Sequence, residues 1–578
     1  MNVNRVFVLG LDGATFDLIL PWADEGKLPN MKKIMTEGTH GELTSTVPAH
    51  SAPAWSSFIT GKNPGKHGIF DFTEHVPGEY GIRFVNANSR RGRSLWSILS
   101  DHKKLVGIIN TPMTYPPEKV NGFLISGMDT PGIDTNFAYP PSIIEEVQEL
   151  VSEYVLEAGL WSYIKKGKID LAIQKQKEVI DKRFKVATHL MHKNPWDFFM
   201  VVFTATDRVQ HVFWKYMDPK HPLYDRKDAE KYGNTILEVY KKLDDIIGYL
   251  LNTLDKNTTL MIMSDHGAGL SSNKSIYLNN WLYKKGLLRY KDSGDDNSRI
   301  SGNLKRLLYA RLLSKAPRDF WKSLPRGTRD KIKKLFPFIF HKMASQFFFG
   351  RINMNATRAY AEESRSFIWI NLKGRDPRGT VEPGKEYEEL CDYIVHDLTN
   401  LRCPEDQEPV VDRVFKKDEI YHGENIYKAP DLIVTFRKEG YVPRPSYKVG
   451  RDITLRAVPR EELGKSESDL QANAKHEPNG IILLRGKDIT ENYELKGAQI
   501  IDCTPTILYT LGLPIPEDMD GRVLTGAFRE NVLKTNPVIY DRGVRAAVSQ
   551  EEVVPYSDEE ETKIKERLSD LGYFDSRE

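Results

Sequence analysis

The sequence predicts an α/β fold: a mainly parallel sheet covered by helices on both faces, interrupted by an inserted, mainly helical cap region. Three observations carry this. Short, continuous apolar runs recur along the chain, as suits strands buried on both faces. Helical segments lie between them, which favours parallel strands joined by crossovers. Several runs end at a polar residue, as expected where a ligand gathers outside the carboxyl ends of the strands.

The first run, RVFVLGL, ends at Asp12. In VPAHSAPAWSSFITG (47–61) the AWSSFIT portion reads as a helix, Ser51 suits its N-cap, and Pro53 is tolerated in a first turn. LVGII ends at Asn110, and GFLIS leads to Gly127 and Met128. PPSIIEEVQELVSEYV reads as a helix. FFMVVFTAT ends at Asp207, ILEVYKKLDDIIGYLLNTL reads as a helix, and TTLMIMS ends at Asp265 and His266. From about Trp281 to Ile426 the alternation stops. There NLKRLLYARLLSKAPRDFWKSLPRGTRDKIKKLFPFIFHKM (303–343) is basic and amphipathic. It is expected to be helical, either a solvated face or a contact for an anionic substrate or membrane surface. INLKGRDPRGTVEPGKEYEEL (370–390) reads as a strand, a Gly/Pro turn and a helix start. GIILL (480–484) follows His476 and resumes the strands, and the tail from about Asn536 reads as a peripheral helix. The breaks divide the chain into a first core part (1–280), the insertion (281–426), a second core part (427–535) and a tail helix (536–578).

Composition excludes several classes. The 578 residues suit several domains, or one large domain with insertions. Hydrophobic residues are 40% and charged residues 28%, which suits a folded chain rather than a disordered one. A net charge of +2 offers no global argument for nucleic acid. Cys391, Cys403 and Cys503 are far apart and form no CxxC pair, which argues against a zinc ribbon or a disulfide framework. The apolar start, MNVNRVFVLGLDG, is too short for a signal segment, and no run approaches a membrane span, so a cytoplasmic location is expected.

Four short motifs matter together. LGLDGATFD puts Asp12 at a strand end before a glycine turn. TDRVQH places Asp207 and His211 four apart, on one face if a helix opens there. MSDHGAG sets Asp265 and His266 directly after a buried strand, and KHEPNGIILL sets His476 before another. Each alone is an ordinary turn or surface residue. Together, three carboxylates at one sheet edge would repel without a cation. Six such ligands divide into two sets of three, each leaving positions for substrate or water. Two metals so held suit in-line phosphoryl displacement, and a hydroxyl among them becomes a nucleophile. Ser51 at a helix N-terminus gains further from the N–H groups there.

The ordered set of GLDGATFD, VPAHSAPAWSSFITGKNPGKHGIFDF, NTPMTYPP, TDRVQH, SDHGAG, HEPNGIILLRG and DCTPTILYTLGLPIPEDMDGRVL resembles the alkaline phosphatase superfamily. It is most similar to the type I phosphodiesterase/nucleotide pyrophosphatase branch and its group of bacterial and archaeal phosphohydrolases and phosphomutases. The resemblance implies an alkaline-phosphatase-like three-layer core. It implies one metal held by Asp207, His211 and His476, and another by Asp12, Asp265 and His266. The nucleophile of this branch lies nine residues before the Thr of a TG-P-HG segment; counting back from Thr60 in TGKNPGKHG lands on Ser51. The implied course is attack by Ser51, a covalent phospho-enzyme, and hydrolysis by water activated at the Asp207 metal. Zinc suits three histidines, with manganese the alternative that the carboxylates allow.

Two departures bear on substrate. Where the branch places an Asn about twenty residues after the nucleophile, this chain has Asp71 and Phe72. The N–H of Ala52, Asn110 or a residue of the cap is expected to hold the phosphate oxygen instead, with Lys62, Lys66 and Arg208 as further phosphate contacts. SAPAW resembles the sulfatase signature, but Trp55 stands in place of its Arg, which disfavours a sulfatase. His50, next to Ser51, is expected to be a bystander, since neighbours rarely turn side chains toward each other. The reading is a two-metal phosphodiesterase or nucleotide-pyrophosphatase-like enzyme acting on a small phosphate ester or nucleotide-like substrate. The alternative is a phosphomonoesterase or phosphomutase on the same core. A non-catalytic binding protein is disfavoured by the presence of all seven residues.

Overall fold

The computed structural model describes residues 4–291, 349, 351–437, 440–446, 450–463, 473–542 and 555–571. The basic segment 303–343, on which the helical reading of the insertion rests, lies outside the described residues.

A ten-stranded sheet forms the centre. Across it run Thr39–Thr44, Asn479–Arg485, Thr258–Met263, Arg5–Leu11, Phe198–Phe203, Val106–Thr111, Gly122–Ser126 and Ala138–Tyr139, in that order. Tyr493–Glu494 and Ala498–Gln499 pair on the outer edge of Thr39–Thr44. The stretch from Thr258–Met263 to Gly122–Ser126 is parallel throughout, while Asn479–Arg485 and Ala138–Tyr139 are antiparallel to their neighbours. All residues of Val106–Thr111, Phe198–Phe203 and Thr258–Met263 are buried, as an apolar run covered on both faces requires.

Register fixes where the chemistry gathers. Leu11 lies opposite Phe203, and Gly10 opposite Met263, so three adjacent strands end at one level. Asp12 follows the first, Asp207 stands in the opening turn of the helix Ala205–Met217 after the second, and Asp265 and His266 follow the third. His476 comes from the opposite direction, on the short strand Ala474–Glu477 paired antiparallel to Gly267–Leu270.

A second apolar cluster lies outside the central sheet. Its four-stranded antiparallel sheet runs Ala359–Glu362, Phe367–Ile370, Leu432–Phe436 and Val411–Lys416. The helix Lys385–Thr399 packs beside it, burying Leu390, Ile394 and Leu398. The 370–390 stretch thus ends a strand, turns, and starts a helix. The insertion's described part therefore holds strands as well as helices. The tail helix Asp558–Asp570 lies against the core by one face. Its Ile564 and Leu568 are buried, and Tyr556, just before it, donates to the carbonyl of Asp129 at 2.8 Å. Among the described residues no helix is long and apolar enough to cross a membrane.

One glycine decides how the helix Ser51–Thr60 meets the sheet. A Cβ on Gly10 would lie 2.9 Å from the Trp55 ring and 2.9 Å from Val202. The Gly10→Ala substitution should therefore cost about 1–3 kcal/mol through overpacking. Urea unfolding measures it, and wild-type stability would show that the indole can move aside.

Candidate active site

The predicted ligands converge. His266 Nε2 lies 3.4 Å from Asp265 Oδ2 and 3.8 Å from Asp12 Oδ1. His211 Nε2 lies 3.1 Å from Asp207 Oδ1 and 3.0 Å from His476 Nε2, which is itself 3.4 Å from the same oxygen. Donors on a tetrahedral zinc at roughly 2.0–2.1 Å stand about 3.3 Å apart, so the second set is close to that spacing. Asp12, Asp265 and His266 offer donor atoms within 4.8 Å of one another, and so do Asp207, His266 and His476. His266 thus sits between the two groups.

Backbone carbonyls set the tautomer of all three imidazoles. Nδ1 of His211 faces the carbonyl of Ala474 at 3.0 Å, that of His476 faces Ala49 at 3.1 Å, and that of His266 faces Gly267 at 2.9 Å. A carbonyl only accepts, so each Nδ1 carries the proton and each Nε2 presents its lone pair to the cluster. Burial holds two of them neutral: His266 is lowered to about 4, and His476, beside His266, to about 3.

The carboxylates divide. Burial would raise Asp207, but His211 and the Arg208 guanidinium, 2.8 Å away, hold it well below the usual range. Burial pushes Asp12 well up, and Asp265 and Asp207 add repulsion. Asp265 rises to about 7 from burial and from Asp207. Asp12 Oδ1 and Asp265 Oδ2 are buried with no hydrogen-bond partner among the described residues. The other oxygens are held: Trp55 Nε1 donates to Asp12 Oδ2 at 3.3 Å and the Gly13 N–H to Asp265 Oδ1 at 3.2 Å. Gly13 takes a φ of +68°, and a Cβ there would meet Asp207 at 3.0 Å. The set of orphaned acid oxygens and imidazole lone pairs fits divalent cations.

Ser51 is buried at the cluster, and its hydroxyl lies 3.2 Å from His266 Nε2. It is the first helical residue rather than the cap, which is His50. Its hydroxyl points to His266 because the helix enters with His50 in extended conformation. Ala52, second in the helix, has an N–H that the helix itself leaves without a partner.

The other expected contacts are spent elsewhere. Lys62 pairs with Asp518. Asn110 is buried in the sheet, its amide 3.3 Å from the Val202 carbonyl and, in the swapped orientation, accepting from Arg183 at 3.0 Å. Arg208 reaches Asp207 and, at 3.4 Å, the carbonyl of Leu571, so it steadies a ligand. Trp55 and Gly13 were the positioning groups that residue patterns did not reveal. His50 turns from Ser51 to Asp71, with Nδ1 3.0 Å from its Oδ1. A cavity of about 720 Å³ opens beside the cluster, walled in part by His50, His211, His476, Phe415, Phe436 and Leu571. That volume suits a small organic ligand.

The profile of the type I phosphodiesterase/nucleotide pyrophosphatase family matches residues 6–457. Phosphonoacetate hydrolase from Sinorhizobium meliloti 1021, solved with phosphonoformate, shares 13% identity at a TM-score of 0.50, covering 88% of this chain and 95% of its own. Murine ectonucleotide pyrophosphatase/phosphodiesterase 5 shares 14% identity at a TM-score of 0.46, again over 88% and 95%. A comparison with curated proteins finds no match.

Cation binding should depend on pH. A carboxyl raised to about 7 by burial adds to the stability of the metal-free fold below the ordinary carboxylate pKa, and that contribution is lost as pH climbs through 7. Coordination requires the ionised form and so displaces the proton. The gain in unfolding free energy from saturating zinc or manganese should be larger at pH 8 than at pH 6, by about 1 kcal/mol per pH unit below the pKa, as read from thermal melts. An equal gain at both values, or none, would remove the cluster as a cation site.

Proposed function

The chain belongs to the type I phosphodiesterase/nucleotide pyrophosphatase family, and on that premise we propose that it hydrolyses phosphoric esters through Ser51, with two divalent cations on Asp12, Asp265 and His266 and on Asp207, His211 and His476. One observation carries this reading: three imidazole lone pairs and the orphaned oxygens of Asp12 and Asp265 converge around a buried serine hydroxyl. Cations held there would balance the three carboxylates, favour the ionised Ser51 oxygen and draw charge from the phosphoryl oxygens.

The chain's own groups supply the rest. Ser51 Oγ attacks phosphorus, and the bond to the leaving oxygen breaks with its electron pair. The Ala52 N–H would donate to a phosphoryl oxygen, and the helix N-terminus favours the added negative charge. Water from the cavity then cleaves the phosphoserine, releasing phosphate or a phosphomonoester and restoring the hydroxyl. Zinc is the metal that three imidazoles favour. The three cysteines are buried and unpaired, which agrees with a reducing compartment and a cytoplasmic location. The substrate is a small phosphodiester or nucleotide-like ester, with the second apolar cluster acting as the cap over it.

Hydrolysis of bis-p-nitrophenyl phosphate tests the reading. Turnover should vanish with chelator and return with zinc or manganese. Ser51→Ala should lower kcat by about 10⁴-fold or more, as loss of a nucleophile does, with metal content unchanged. Acid quenching should trap a p-nitrophenyl phosphoryl group on the serine of the Ser51 peptide, one nitrophenolate having left. Normal turnover by Ser51→Ala would falsify the nucleophile assignment.

A further inference from the structure

The loop before the nucleophile is gripped from two sides. On the side of the central sheet, the Ala49 carbonyl orients His476 at 3.1 Å, and Ser51 meets His266 at 3.2 Å. On the side of the second cluster, Tyr421 donates to the Val47 carbonyl, and a chain of charges reaches His50. That chain starts at His75, which pairs with Glu362. Glu362 Oε2 lies 3.1 Å from Arg365 Nη1, Arg365 pairs through Nε with Asp71, and Asp71 Oδ1 lies 3.0 Å from His50 Nδ1.

Arg365 is aimed by the second cluster's own backbone. It closes the short turn Glu363–Arg365 between two strands of the antiparallel sheet. The buried carboxylate of Glu363 holds this turn, accepting from the Asn279 N–H at 3.0 Å and the Ser446 N–H at 2.6 Å. Asp71 follows Phe70, itself a member of the second cluster, and His50 meets the edge of Phe72 at 5.5 Å. The guanidinium fork serves two acids at once, a geometry that a lysine cannot copy.

We propose that Arg365 is a positioning residue for the reaction: through Asp71 it fixes His50, and with it the loop that places both Ser51 and His476. This rests on the hydrolase reading above. The insertion then contributes to the chemistry itself, and Asp71, standing where the branch has an Asn, serves as the link.

Two variants test it, assayed on bis-p-nitrophenyl phosphate at saturating metal. Removing Arg365 alone would strand buried carboxylate charge, so the double variant Asp71→Asn/Arg365→Gln removes opposite charges together. It should keep its fold by circular dichroism and its metal content, yet lose about tenfold or more in kcat with KM within about threefold, since small misplacements of reacting groups cost rate steeply. Arg365→Lys keeps the charge and is safe against misfolding. Its kcat should fall by at least about threefold and stay above that of the double variant. A folded double variant with a smaller loss than tenfold, or Arg365→Lys at wild-type kcat, overturns the inference and leaves the hydrolase reading standing. Absence of chelator-sensitive turnover in the wild type overturns both.

Discussion

Three carboxylates buried in one cluster repel one another, and only one has a guanidinium beside it. Arg208 serves Asp207, while Asp12 and Asp265 have repulsion and desolvation to contend with. The surrounding structure reads as a response to that constraint. The parallel register brings the acids to one level. Trp55 and the Gly13 N–H each satisfy one oxygen and leave the other directed inward. The three imidazoles are turned by carbonyls so that Nε2 faces the cluster, and burial keeps His266 and His476 from adding positive charge. Such a cluster would be costly without cations and favourable with them, so that any affinity for metal would follow from the fold's own strain on these acids.

Much of this was legible because strand ends mark themselves. Asp12, Asp207, Asp265 and His266 each follow an apolar run, and a buried parallel sheet lines up the ends of such runs. His211 follows from helical spacing once Asp207 is placed. What was not legible depends on partners remote in sequence. Lys62 looked like a phosphate contact, but Asp518 claims it from 456 residues away. Asn110 sits at a strand end yet turns to Val202 and Arg183 within the sheet. Trp55 read only as a missing arginine, whereas its indole N–H holds Asp12 across the strand from Arg5 to Leu11. The second sheet was hidden as well, since its strands are short and split between 359 and 436.

The tail shows the same limit differently. A polar, charged helix at a chain end suggests surface, and its Glu559 and Glu566 are exposed. Its attachment is made by a few groups: Tyr556 to Asp129, Lys563 to Asp134 at 2.7 Å, and the Leu571 carbonyl to Arg208. These tie the tail to the residue that steadies a candidate ligand, so its removal would be felt at the site rather than only at the surface.

The segment TGKNPGKHG, whose spacing selects Ser51, has a different task from the one its place in the motif suggests. Gly61, at a φ of 65°, ends the helix that begins at Ser51, and Asn63 caps the next turn by accepting from the Gly65 N–H. Lys62 and Lys66 pair with Asp518 and Asp520, and the Asn63 N–H donates to Asp520 at 2.9 Å. His67 accepts from the Ile69 N–H at Nδ1 and therefore donates from Nε2 to Ser57 Oγ, 2.9 Å away, back inside the helix. A Cβ on Gly65 would strike the His422 carbonyl at 2.6 Å. All of these contacts clamp the far end of a helix whose near end carries the serine. A helix is stiff along its axis, so anchoring Thr60 and Gly61 fixes the depth at which Ser51 meets His266. The residues between nucleophile and motif then act as a ruler, and the lysines that look like phosphate ligands hold its far mark.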